Sequence, residues 1–212
     1  PITINVDELA YNGPNLDAVT AIYTELKFNT LLEKLGKSPV EEVQEEIEVL
    51  TMLEVDENFL SDEMALHVEM MDENYLGTEV TGVSMTDGEQ IIFIPIAVLQ
   101  QSQLVKEWLR DEKKTKYATD SKAAYASLLR YGIEVNGFEF DLLLATYIAN
   151  PSSTYTDVAS VAKEFHYLDV QPDETVYGKG AKKALPEEKV LADHAGRKAQ
   201  AVWKLRPVLE EK

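Results

Sequence analysis

The stretch MALHVEMMDENYLGTEVTGVSM, Met64 to Met85, decides the fold. It holds two strand-length apolar runs, 65–71 and 79–86, separated by the polar turn residues Asp72 and Glu73 and their neighbours. Asp87-Gly88 follows as a two-residue hairpin signal leading into a further run at 90–96, so the last two strands are expected to pair antiparallel. Pro95 falls near the end of that run, where a missing amide is tolerated. Upstream, Ile47, Val49, Thr51 and Leu53 alternate with Glu48, Leu50 and Met52, as in a strand of a covered sheet.

Downstream the period becomes helical. A helix over 97–110 presents Val98, Leu104, Val105, Trp108 and Leu109. Asp120 caps a helix running to Tyr131 and ended by Gly132, and 141–149 stops before Pro151. Thr156 is placed to cap 157–165, and 167–186 is polar and glycine-containing, hence loop. The longest helix is expected over 187–209, with Val190, Leu191, Ala195, Val202 and Leu205 on one side. Strands followed by helices predict an α/β fold, a mixed sheet flanked by helices.

Residues 1–36 read as a separate helical unit. Asn15 can cap a helix whose apolar face is Leu16, Val19, Ile22, Tyr23 and Leu26, and a second short helix over 30–35 ends at Gly36. So small a face must dock elsewhere. Residues 37–46, with four Glu, read as an exposed linker, and 47–212 as the main domain. The chain does not begin with Met, which suggests an internal fragment or processed protein.

The composition, 45% hydrophobic and 27% charged, is that of a globular domain. No apolar run approaches a membrane span, and the N-terminus lacks the basic flank and apolar core of a signal peptide. The absence of cysteine excludes disulfides, Cys-ligated zinc and thiol catalysis, and fits a cytoplasmic location. A net charge of −18 opposes nucleic-acid binding, because phosphates are neutralised by Lys and Arg. The densest basic cluster, Lys179, Lys182 and Lys183, is followed by Glu187 and Glu188 and reads as a solvated loop. Gly178-Lys179-Gly180 lacks the spacing of a phosphate loop. His67, His166 and His194 are widely spaced and read as structural.

Three stretches carry a family resemblance that runs from about residue 47 onward, about three quarters of the chain. They are the opening quotation, DSKAAYASLLRYGIEVNGFEFDLLLATYIAN (120–150) and LADHAGRKAQAVWKLRP (191–207). Together they resemble the 3′–5′ exonuclease domain of bacterial DNA polymerase I, the family A polymerases. The resemblance implies an RNase H-like (DnaQ-type) fold, and residues 1–36 look like the tail of the 5′-nuclease region. The family carries four metal-binding acids and a Tyr on three motifs. In this register the acid positions are Val68, Met70, Ala124 and Lys198, and the Tyr position is His194.

A two-metal nuclease needs hard oxygen ligands, which Val, Met, Ala and Lys do not supply. The pattern resembles the low-GC Gram-positive enzymes that keep this domain as a relic, as does DETVYGKGAKKALPEE (173–188). The resemblance therefore implies a scaffold domain without bound metal or cofactor, packed against polymerase and 5′-nuclease regions of a parent enzyme of DNA replication and repair. Glu69 points to the face opposite Val68 and Met70 and is expected to play an exposed or packed structural part. Two other readings stay open. One is an active exonuclease using displaced acids such as Glu69, Asp72 and Asp120, and the other an unrelated acidic interaction module.

Overall fold

A computed structural model describes residues 15–25, 31, 34, 35, 45–152 and 155–211. The chain divides into two compact units, Pro1–Val43 and Gln44–Lys212. In the first, α1 spans Leu16–Glu25, and Asn15 caps it by accepting from the Ala18 amide at 3.1 Å. Leu16 and Ile22 remain about half exposed. Leu26, half of the expected second helix together with Gly36, and most of the expected linker lie outside the described residues.

The second unit is a six-stranded mixed sheet with helices on both faces. Its strands are β1 (Leu50–Thr51), β2 (Glu63–Met70), β3 (Val80–Thr86), β4 (Ile91–Pro95), β5 (Thr115–Ala118) and β6 (Phe138–Asp141), in the spatial order β1-β4-β3-β2-β5-β6. The β2–β3 and β3–β4 pairs are antiparallel, whereas β1–β4, β2–β5 and β5–β6 are parallel. Between them come α2 (Ile96–Gln101), α3 (Gln103–Arg110) and α4 (Ser121–Leu129). After β6 follow α5 (Leu142–Ala149), α6 (Val158–Glu164), α7 (Asp173–Tyr177) and α8 (Glu188–Glu210).

The hairpin forms as the sequence predicts, but its connection is four residues long. Thr86 pairs with Ile91, and the Asp87 carboxylate organises the turn by accepting from the Glu89 and Gln90 amides. Gly88 takes φ +94°, which a side chain rarely adopts. The helix expected over 97–110 is two helices, because the Ser102 hydroxyl accepts from the Val105 amide and starts a new one. The strand expected over 47–53 shrinks to Leu50–Thr51 at the sheet edge. Two strands, β5 and β6, were not expected at all. Asp157, and not Thr156, caps α6, and Val190 is exposed.

Alternation along β2 divides the core. Leu66 and Val68 join Leu99, Leu109, Ala124 and Leu128 in the apolar layer formed with α2, α3 and α4. Ala65 belongs to the opposite layer, with Leu142, Val161, Val202 and Leu205 from α5, α6 and α8. Helix α8 lies across β2, β3, β4 and β5. Its close approach depends on Gly196, where a Cβ would fall 2.5 Å from Val49 Cγ2. The same helix faces Glu69.

Candidate functional site

Beyond Leu66 and Ala118 the pairing of β2 with β5 ends, and a cavity of about 320 Å³ opens. Carboxyl ends of neighbouring strands are the usual place for a ligand cleft in an open α/β sheet. Val68, Met70, Ala124 and Lys198 all line this cavity, together with His67, Thr119, Asp120 and Asp173. Val68 and Ala124 are nevertheless packed into the apolar layer, 6% and 4% exposed. His194 lies buried on α8, one helical turn before Lys198. Asp120 is occupied as a helix cap, accepting from the Ala123 amide at 2.8 Å. Asp72 lies 3.6 Å from Lys183 Nζ.

The chemistry is concentrated on the α8 side of β2. Glu69 is fully buried, with Oε1 2.9 Å from Lys198 Nζ. The same ammonium reaches Asp173 Oδ1 at 2.6 Å, and His194 Nε2 lies 2.7 Å from that oxygen. Tyr177, at the end of α7, donates its hydroxyl to Glu69 Oε1 at 2.5 Å and stands edge-on to the His194 ring. On the cavity side, His67 Nε2 is 3.2 Å from Glu69 Oε2, and its Nδ1 is 2.8 Å from Thr119 Oγ1. Glu69 Oε2 has no hydrogen bond of good geometry. Glu69, expected to play an exposed or packed structural part, is fully buried at the centre of a charge cluster.

Burial and pairing pull these groups in opposite directions. Burial penalises the Glu69 carboxylate, but Lys198 and His67 overcome it and hold its acid far below the usual range. Burial would lower Lys198, and Glu69 with Asp173 raises it instead. Asp173 is likewise lowered against burial, by its bond to His194 and the Lys198 charge. Burial lowers His67, against the pull of Glu69. Burial and the adjoining Glu69 charge push the Tyr177 phenol well up. The outcome is a salt-bridged anion–cation–anion arrangement.

Sequence reasoning missed Asp173 and Tyr177, which fell in a stretch read as loop. The signal was present: Pro172 precedes two acids in a first turn, and Gly178 closes the helix at φ +84°. For Glu69 the signal was the alternation itself, which puts it on the face of Ala65 and His67.

Fold and site thus define an RNase H-like exonuclease-type domain. The family model for the DNA polymerase I, ribonuclease H-like domain matches residues 66–205. The chain belongs to that family. It is 44% identical over 213 residues to DNA polymerase I of Bacillus subtilis and 42% identical over 216 residues to that of Bacillus caldotenax, which cover 99% and 100% of it. It spans 24% of the length of each of those two relatives. Among solved structures, Brucella melitensis NrnC with bound Mg2+ superposes with TM-score 0.59 at 16% identity, over 77% of this chain and 78% of NrnC. The POL domain of Pol1 from M. smegmatis, complexed with DNA primer-template and dNTP, superposes with TM-score 0.57 at 15% identity, over 77% and 27%. These last two likenesses concern the fold alone. Among the described residues no helix is long and apolar enough to cross a membrane.

Proposed function

We propose that this chain is a catalytically vacant 3′–5′ exonuclease-like domain that acts as a scaffold within a DNA polymerase I. The observation that carries this is Lys198, whose ammonium sits between Glu69 and Asp173 at 2.9 and 2.6 Å. A divalent ion would need those same oxygens, and a lysine beside it would repel it. The two-ion centre that the fold family implies does not fit the residues present. Val68, Met70 and Ala124 offer no hard ligand, and Lys198 offers positive charge.

The geometry favours one refinement. The β2 residues that share the Lys198 side are His67 and Glu69, which keep the two-residue spacing of the Asp-x-Glu motif one position from Val68 and Met70. A one-residue shift in a strand changes the face of every side chain. Glu69 then holds one acid position, and its charge is spent on Lys198.

By its relatives, the partners of this domain are the polymerase and 5′-nuclease regions of one cytoplasmic parent chain, and DNA is met through the parent. The acidic surface supports that division, since a net charge of −18 disfavours phosphates. Purified protein incubated with single-stranded DNA and Mg2+ or Mn2+ is expected to release no mononucleotides. Metal-dependent 3′–5′ release, abolished by Glu69→Ala or Asp120→Ala, would establish the displaced-acid reading instead.

A further inference from the structure

The groups that hold Lys198 form a ligand set in their own right. Glu69, Asp173 and His194 each offer one donor atom, and these atoms lie within 4.8 Å of one another. They come from β2, α7 and α8, so the fold assembles them. Glu69 and His194 are buried, and Glu69 keeps one oxygen without a hydrogen bond. A cation already occupies this set: the Lys198 ammonium, in contact with both carboxylates. Lys198 and Asp173 also line the cavity, so shortening the lysine joins the cluster to solvent and gives a metal ion an entry path.

We propose that Glu69, Asp173 and His194 constitute a latent site for a single divalent transition metal, closed in the native chain by the tethered cation of Lys198. The donor set decides the metal class. One imidazole nitrogen with two carboxylates suits Zn2+, Co2+ or Mn2+, whereas Mg2+ demands six hard oxygens in octahedral geometry. Ammonium and metal use the same lone pairs, so the two exclude each other. Tyr177 steadies the site from outside the ligand set, through its hydroxyl on Glu69 Oε1. The set shares only Glu69 with the family's two-ion centre, since Asp173 and His194 stand at none of its four acid positions. The proposal rests on Lys198 as the resident cation, and it concerns binding without implying nuclease chemistry.

The test compares the wild-type chain with Lys198→Ala, titrated with Co2+ and Zn2+ and followed by calorimetry, visible d–d absorption and thermal melting. Lys198→Ala is expected to bind one Co2+ with a visible spectrum and a raised melting temperature, and wild type to do neither. Adding Asp173→Asn or His194→Ala to Lys198→Ala should weaken binding at least about tenfold, the scale on which metal-site contacts act. Folded Lys198→Ala without Co2+ uptake, or uptake indifferent to Asp173→Asn, overturns the proposal. If Lys198→Ala unfolds without metal, recovery of its circular dichroism with Zn2+ or Co2+ supports the site, and failure of both overturns it. Specific uptake by wild type, lost in Asp173→Asn, would overturn both the closing role of Lys198 and the vacant reading. A failure confined to Lys198→Ala leaves the vacant reading standing.

Discussion

Among the described residues two lysines are buried, and they are buried in opposite ways. Lys198 lies between two carboxylates, and its ammonium is favoured above the ordinary lysine range despite its burial. Lys116, on β5, is fully buried, and among the described residues it has no ion partner. Its Nζ donates to the Asp111 carbonyl at 2.6 Å and lies 4.6 Å from the centre of the Trp108 ring. Burial lowers its pKa to about 8. The comparison separates desolvation from pairing. A carbonyl dipole and an aromatic face make a buried cation tolerable, but two carboxylates make it obligatory. Removing Lys198 strands two acids, and removing Lys116 strands one carbonyl.

The largest effect comes from reversing the charge at Lys198 while placing acids at the other three positions named by the sequence register. Val68→Asp, Met70→Glu, Ala124→Asp and Lys198→Asp together put new carboxylates into an apolar layer and beside Glu69 and Asp173. A loss of more than about 5 kcal/mol without metal is expected, since each unpaired buried charge costs several kcal/mol. Mn2+ should stabilise this variant more than wild type in urea titrations. Nuclease activity should stay near zero, because substitutions alone do not shape a cleft for a single strand. A quadruple variant as stable as wild type in the absence of metal would mean the pocket is open and hydrated.

Next in size is the pair itself. Glu69→Ala should cost about 1–3 kcal/mol, because Lys198 keeps Asp173 but the buried Tyr177 hydroxyl loses its acceptor. Combining it with Lys198→Met should cost less than the sum of the two single changes, so a double-mutant cycle measured by urea unfolding should show coupling. Additive single changes would show the contact to be energetically idle.

The pH dependence distinguishes the two lysines by sign. Glu69 and Asp173 are depressed, so their stabilisation is complete above their unfolded values of about 4.3 and 3.9 and is lost as pH falls through their lower folded values. His67 is also lowered, so it adds to the acid loss from about pH 6.5 downward. Lys198 is raised, and its contribution is full below about pH 10.4 and disappears as pH rises past its folded value. Lys116 behaves in reverse. Between its folded value of about 8 and an unfolded value of about 10.4 the unfolded chain binds more protons, so stability rises with pH. Denaturant midpoints from about pH 2 to pH 10 should therefore show an acid limb, below about pH 4, that shrinks in the Glu69→Ala, Lys198→Met double variant. An acid limb unchanged in that variant would assign it to other carboxylates.

Neither lysine environment was readable from periodicity, although most of the frame was. The hairpin and the long strand β2 follow from apolar alternation and an Asp-Gly turn, and α4 and α5 follow from their caps Asp120 and Asp141. These are local signals. Strand β5 has only four residues, one of them Lys116, and β6 includes Glu139, so neither alternates long enough to be seen. Their parallel pairing depends on partners far along the chain. The same holds for the site. Motif spacing named Val68, Met70, Ala124 and Lys198, and the structure finds all four lining one cavity, but the partners of Lys198 come from β2 and α7. No spacing along the chain shows those ion pairs, which depend on the packing of α7 and α8.

The smallest effect is expected at Lys116, and it sharpens the contrast most. Lys116→Met keeps most of the apolar stem but removes the charge, and with it the cation beside the Trp108 ring. The lost bond to the Asp111 carbonyl is a charge-assisted one, worth about 1.5–3 kcal/mol. Against it stands the desolvation of an ammonium with no carboxylate in contact, which the variant no longer bears. The two terms are of similar size and opposite sign, so stability at pH 7 should change by about 1 kcal/mol or less. The rise in stability between about pH 8 and pH 10 should vanish with the lysine. A loss comparable with that of Glu69→Ala would mean that Lys116 has a carboxylate partner in solution. A retained alkaline rise would assign that rise to another group.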